Sequence, residues 1–247
     1  MTENRTFRLG NRVTVTTSHR AAPRLSADRI VEVAVSQLRS NGYDAVTMRS
    51  IAKELGTGPA SLYAHVANRA ELDQLVVGTV CSQWQIPDPD PQHWDDQVRA
   101  ALKGLLDVYR ANPGIARCTM GMIPTQPALL AVTDRLVGLL KAGRVPEQYC
   151  AWFVDVASLF VSSVAMEDDI WLERHRGQNP DEAAAMAHVS EEEVVAEVRK
   201  VFAALPPERF PNLSAMAVVM TTGSGDDRFA FGVDLIVSGL KSMSERA

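Results

Sequence analysis

The chain has 247 residues, 46% apolar and 22% charged, which fits a globular protein with a sizeable core and excludes disordered and collagen-like classes. Its net charge is −5, an acidic total that taken alone argues against nucleic-acid binding. Residues 1–75, however, hold ten Arg/Lys against seven Asp/Glu, while residues 76–247 hold fifteen against twenty-three, so positive charge collects at the amino-terminal end.

The first 25 residues carry Arg5, Arg8, Arg12, Arg20 and Arg24 against Glu3. They read either as a solvated tail or as an arm that tracks phosphates or enters a minor groove. Ser26 then caps a helix with Ile30, Val33, Ala34 and Leu38 at helical spacing, which Asn41-Gly42 stops. Thr47 caps a second helix with Ile51, Ala52 and Leu55 on one stripe, and Gly56 ends it in a left-handed residue. Gly58-Pro59 starts a third, short helix that buries Leu62 and Val66 and leaves Ser61, Tyr63, Ala64 and His65 outside. Asn68 caps the next helix, expected over 71–84 with Leu72, Leu75, Val76 and Val80 inward.

The run Pro87-Asp88-Pro89-Asp90-Pro91 breaks the chain, and we place a boundary there: an arm over 1–24, a helix-turn-helix domain over 25–86 and a helical domain over 87–247. Further helices are expected near 94–111, 114–121, 126–142, 146–176, 190–205 and 226–244, with a loop over 177–188. No strand is assigned anywhere. The expected architecture is all-α.

The block from Leu25 to Val76, which contains LG-x-x-x-x-S-LY-x-H-V, resembles the DNA-binding domain of the tetracycline-repressor (TetR) family of bacterial regulators. The segments ERFPNL (208–213) and RFAFGVDLIVSGL (228–240) resemble the ligand and dimerisation domain of the tetracycline-repressor branch, and the middle of the chain is similar only in its layout of helices. The resemblance implies a homodimeric regulator, in all expectation a repressor, released from a palindromic double-stranded operator when a small hydrophobic effector binds. A regulator of the same fold that is constitutive, or switched by a protein partner, is the alternative.

Residue chemistry divides the motif. Arg49 suits bidentate contact with guanine, or else clamps a phosphate or pairs with Asp44 or Glu54. Pro59, Ala60, Ser61 and Ala64 are short groups that can meet thymine methyls or base edges. The resemblance makes Tyr63 and His65 phosphate contacts, with Thr47 and Arg69 completing a backbone clamp.

The helix from Tyr149 to Met166 is uncharged except for Asp155, so it is expected to be covered on all sides. Asp155 should then be paired or anchor a polar ligand group. Trp94, Tyr109, Met120, Met122, Trp152, Phe153 and Trp171 are candidates to line a ligand cavity. Phe160, Gly232, Val233, Ile236, Gly239 and Leu240 are candidates for the dimer interface, Gly232 and Gly239 lying seven apart.

Cys81, Cys118 and Cys150 are far apart and lack metal-ligand spacing, so reduced thiols are expected. No apolar run reaches the length of a membrane span and no signal peptide opens the chain, so a cytoplasmic protein with no membrane partner is expected. No nucleophile motif, phosphate loop or paired metal-ligating histidines are present, so neither enzymatic activity nor a metal or other cofactor is expected.

Overall fold

The computed structural model describes residues 3–9, 13–19, 25–176 and 190–246. The expected loop over 177–188 and part of the arm lie outside them. From residue 25 onward the described chain is helical, the all-α body anticipated above.

The arm departs from expectation. Strands β1 (Glu3–Leu9) and β2 (Val13–His19) pair antiparallel, with Glu3 opposite His19 and Leu9 opposite Val13. The β-branched run Val13 to Thr17 favours an extended chain, and Gly10-Asn11 between the strands is a turn-prone pair.

Three helices with their caps follow. In α1 (Ala27–Asn41) the Ser26 hydroxyl accepts from Arg29 N at 3.2 Å, and Gly42 at φ 79° closes the helix by donating to Leu38 O. A 3₁₀ turn, Tyr43–Ala45, leads to α2 (Met48–Glu54), where Thr47 and Ser50 cap each other reciprocally. Helix α3 (Pro59–Leu62) is a single turn entered through Pro59, with the chain turning again through Tyr63 to His65. Leu62 and Val66 are fully buried and pin this turn to the core.

Helix α4 (Arg69–Cys81), capped by Asn68 on Glu71 N at 2.9 Å, ends three residues before expectation. Trp84 then tucks back and donates its indole N–H to Ala101 O at 2.8 Å. Helices α5 (Trp94–Arg110), α6 (Ile115–Thr119), α7 (Pro127–Ala142) and α8 (Glu147–Arg176) follow, then α9 (Glu191–Ala203), α10 (Pro211–Ala215) and α11 (Gly225–Ser244). Helix α10 and a 3₁₀ turn, Val219–Thr221, are additions to the expected set; both pack against α9. Helix α5 is the hub, packed against α7, α8 and α11, while α4 packs against α1, α6 and α7.

The buried side chains form one continuous cluster from Ile30 and Leu38 through Leu72 and Leu106 to Val237 and Leu240. The irregular link around 87–91 therefore interrupts the helices without interrupting the core.

Helix α8 corrects the expectation of all-round burial. Phe153, Ala157, Val161 and Ala165 are buried, whereas Trp152 is 58% exposed and Asp155, Val156 and Leu159 are also exposed. Asp155 is therefore a solvated carboxylate in the protomer and needs no buried partner. By hydropathy and length, 147–173 could cross a membrane, contrary to the sequence expectation; that expectation counted only unbroken apolar residues. Helices α5, α6, α7 and α11 pack on its buried side, while much of its remaining apolar surface is exposed in the protomer.

Candidate nucleic-acid interface and effector cavity

Arg49, Pro59, Ala60, Ser61, Tyr63, Ala64 and His65 are all exposed, along α2, α3 and the turn that follows. Thr47 is exposed too, and its hydroxyl accepts from Ser50 N at 3.0 Å. Arg49 makes no ion pair or hydrogen bond among the described residues. Its two candidate carboxylate partners are engaged elsewhere: Asp44 pairs with Arg117 at 2.9 Å, and Glu54 accepts from Gln37 Nε2 at 2.7 Å. A guanidinium left free on an exposed helix start can reach a base edge without first breaking a bond.

Arg69, unlike Arg49, is held by contacts within the protomer. Its Nε donates to Asp73 at 2.7 Å, its guanidinium lies 4.4 Å from the Tyr43 ring centre, and it also donates to Val46 O. Tyr43 in turn donates to Asp73 at 3.2 Å. This side chain holds the residues before Thr47 against α4, and a phosphate would have to compete with a carboxylate, a carbonyl and a ring.

The first three helices are tied to the body by a second set of polar contacts. Arg39 on α1 donates to Asn112 Oδ1 at 2.7 Å, and the fully buried Asn112 donates to Val108 O at 2.7 Å. Gly114, at φ 89°, donates its N–H to Asp169 at 2.8 Å, and a Cβ there would lie 3.0 Å from Leu38 and 3.1 Å from Tyr43 N. Only glycine combines that backbone with that approach.

Asp169 itself is a residue that sequence reasoning missed. The Glu167-Asp168-Asp169 triplet reads as a solvated face, yet Asp169 is 8% exposed, and burial raises its pKa above the usual carboxylate value. A raised folded pKa means that the folded state holds the proton more tightly, so this group's contribution is present at acid pH and is lost as pH rises through the folded pKa. Asp169→Asn keeps an acceptor for Gly114 N–H but removes the ionisation. The variant is expected to gain stability relative to wild type between pH 4 and neutrality, read as the difference in denaturant midpoints; an unchanged difference would refute this sign.

Within the body, a cavity of about 130 Å³ is lined by apolar side chains of α4, α5, α7 and α8, with Tyr109, Thr119 and Met122. Of the sequence candidates, Tyr109 and Met122 line it. Trp94 packs instead over Gly143 at the far end of α5, Met120 is 43% exposed, and Trp152 and Asp155 lie on the outer face of α8. Phe153 is buried but borders a surface groove between α8 and α11, and Trp171 borders another with Arg110 and Asp168. Periodicity placed these aromatics on helices but could not orient them.

The candidate interface residues divide similarly. Phe160 stacks on Phe229 at 5.6 Å, and a Cβ on Gly232 would lie 2.3 Å from Phe160, so this pair joins α8 to α11 inside the protomer. Val233 and Leu240 are buried in the same seam and Ile236 is half-buried beside it. Gly239 is exposed with open space beside it. The exposed apolar groups are their neighbours Phe231, Leu235 and Met243, which with Trp152, Val156 and Leu159 present large apolar side chains on α8 and α11.

No group of three His, Cys, Asp or Glu among the described residues could hold a metal. Burial pushes the Cys81 and Cys118 thiols up to about 12, which keeps both protonated and poorly nucleophilic.

A free arginine on a capped helix, a one-turn helix of small exposed residues and a helical body with an internal cavity define a helix-turn-helix DNA-binding regulator. Residues 30–73 match the family model described as bacterial regulatory proteins, tetR family, and residues 86–244 match the tetracyclin repressor-like C-terminal domain. The chain belongs to the TetR family. It is 26% identical over 226 residues to the HTH-type transcriptional repressor DrrR1 of Streptomyces coeruleorubidus, covering 89% of this chain and 78% of that protein. It is 32% identical to ActR of Streptomyces coelicolor in complex with actinorhodin, with a TM-score of 0.76 over 90% of this chain and 98% of that one. The apo form of ActR aligns with a TM-score of 0.77 at 31% identity, over 90% of this chain and 97% of that one.

Proposed function

We propose that the protein is a cytoplasmic homodimeric repressor that leaves a palindromic operator when a small, largely apolar effector enters the α4–α8 cavity. The observation that carries this reading is the pairing of an unengaged Arg49 strip with an interior cavity, joined by the contacts of Asn112, Gly114 and Arg117. DrrR1 is named as a repressor, and ActR structures hold actinorhodin and (S)-DNPA, which supports a small-molecule effector here. The exposed apolar strip on α8 and α11 supports a two-fold pairing, since palindromic sites need two recognition helices at fixed separation. On this reading 25–86 is the reading head and 87–247 the effector and dimerisation body.

The cavity volume supports a mechanism. About 130 Å³ holds roughly one aromatic ring, whereas ligand pockets are typically about 300 Å³ or more. A larger effector must therefore displace a wall or extend out of the open side past Pro124 and Ser158. The irregular stretch from Met120 to Thr125, just after the short α6, contains no buried residue and is the wall most easily moved. Effector binding would then shift the body toward a conformer that no longer spans the operator, and operator binding would weaken effector binding to the same degree.

The test is titration of the protein into its own upstream intergenic DNA at two salt concentrations, with light scattering and added actinorhodin. Salt-sensitive, saturable binding of a species twice the 27.0 kDa chain mass is expected, with release by an effector that fills the cavity. A monomer on DNA, or DNA binding indifferent to a ligand shown to occupy the cavity, would refute the respective part.

A further inference from the structure

The cavity lining contains no Asp, Glu, Lys, Arg or His, so a charged ligand group entering it would lose its hydration without gaining a counter-charge. Its polar groups are few, and their protons can be followed. Thr133 donates to Leu129 O at 2.9 Å, Ser158 to Asp155 O at 2.9 Å and the Trp84 indole to Ala101 O at 2.8 Å. Thr119 donates to Ala116 O at 2.7 Å, so in the 3.0 Å contact between Thr119 and Ser162 the serine is the donor. Tyr109 remains. Tyr109 is 5% exposed, and the side chains of Cys81, Ser162 and Thr119 lie beside its hydroxyl. One side chain from each of α4, α5, α6 and α8 thus meets at a single polar point in an apolar interior.

We propose that the Tyr109 hydroxyl is the polar recognition point of the cavity, that it selects neutral apolar ligands bearing an acceptor oxygen such as a ketone, and that turning its proton to that oxygen loosens α6 from α5. The selection rests on the effector reading above and gives it a ligand class. Every other hydroxyl or indole donor on the wall is already held by a backbone carbonyl, so a ligand carbonyl finds this O–H at no cost in broken helix bonds. The consequence reaches the DNA-reading head by contact. Helix α6 carries Arg117, bound to Asp44 in the 3₁₀ turn, and starts at Gly114, packed against Tyr43; that turn ends two residues before the Thr47 cap.

Tetralin and tetralone, bicyclic molecules that differ by a carbonyl oxygen, provide the probes. Wild type should bind tetralone about fivefold more tightly than tetralin, the equivalent of one net hydrogen bond. Tyr109→Phe, which keeps the ring, should bring that ratio to about one, whereas a purely structural role would move both affinities together. Thr119→Val should keep the preference but lower affinity for upstream DNA about fivefold without ligand, and Thr119→Ser should restore it. Equal binding of the two probes by wild type, or a preference retained in Tyr109→Phe, overturns the recognition point and leaves the effector reading intact. Unchanged DNA affinity in Thr119→Val overturns the coupling. Failure of both probes to bind wild type at all, measured by calorimetry, overturns the cavity as an effector site and this inference with it.

Discussion

Arg49→Ala is expected to weaken binding to the operator by about 10- to 100-fold, corresponding to the roughly 1–3 kcal/mol that a good bidentate base contact contributes to discrimination. The reasoning is structural. Arg49 is exposed beside the Thr47 cap, and the two carboxylates able to restrain it are bound to Arg117 and Gln37. The rest of the reading surface, Pro59, Ala60, Ser61 and Ala64, has short side chains with little reach. On the proposed function, specificity should therefore depend heavily on one long side chain. Competition between operator and random DNA separates the possibilities. A loss confined to the operator identifies base reading, and an equal loss on both sequences identifies a phosphate contact instead.

Gly143→Ala should destabilise the fold by about 3 kcal/mol, the upper part of the usual range for overpacking a core. An added methyl would sit 2.2 Å from one ring carbon of Trp94 and 2.4 Å from another. Trp94 is 6% exposed, so its ring has nowhere to move. The site joins the start of α5 to the end of α7, and displacement of the indole would open both. Urea denaturation of Gly143→Ala, Trp94→Leu and the double variant gives the coupling: the double variant should be less destabilised than the sum of the singles. Strict additivity would show that the clash is not the cause.

How far the sequence could be read follows from what each signal encodes. Caps were legible because capping is local: Ser26, Thr47 and Asn68 each accept from a backbone N–H three residues on, as their side chains dictate. Helix spans from α5 onward, apart from the short α10, were legible from apolar spacing and from Pro and Gly punctuation. Side-chain direction on α8 was not. A helix apolar almost all round offers no stripe to orient it, so Trp152 and Asp155 could not be assigned to the outer face. The contacts of Arg69 were not legible for another reason: a motif specifies a position, whereas Tyr43 and Asp73 decide where its guanidinium points. Asp169 was hidden because its neighbours in the triplet are more exposed. The hairpin was missed because its pairing lies in a stretch read for charge, where the alternation around Val13 and Val15 carries the signal.

The unbroken core has a consequence for engineering and for descent. A reading head that shares buried side chains with its sensor is not a detachable module. Grafting residues 25–86 onto the body of a relative would cut through the packing between α4 and the helices α6 and α7, leaving mismatched apolar surfaces on both sides of the cut. Functional chimeras should therefore require that α4, α6 and the start of α7 travel together. New operator preferences would then arise more readily by substitution on the outer surface of α2 and α3 than by exchange of whole heads.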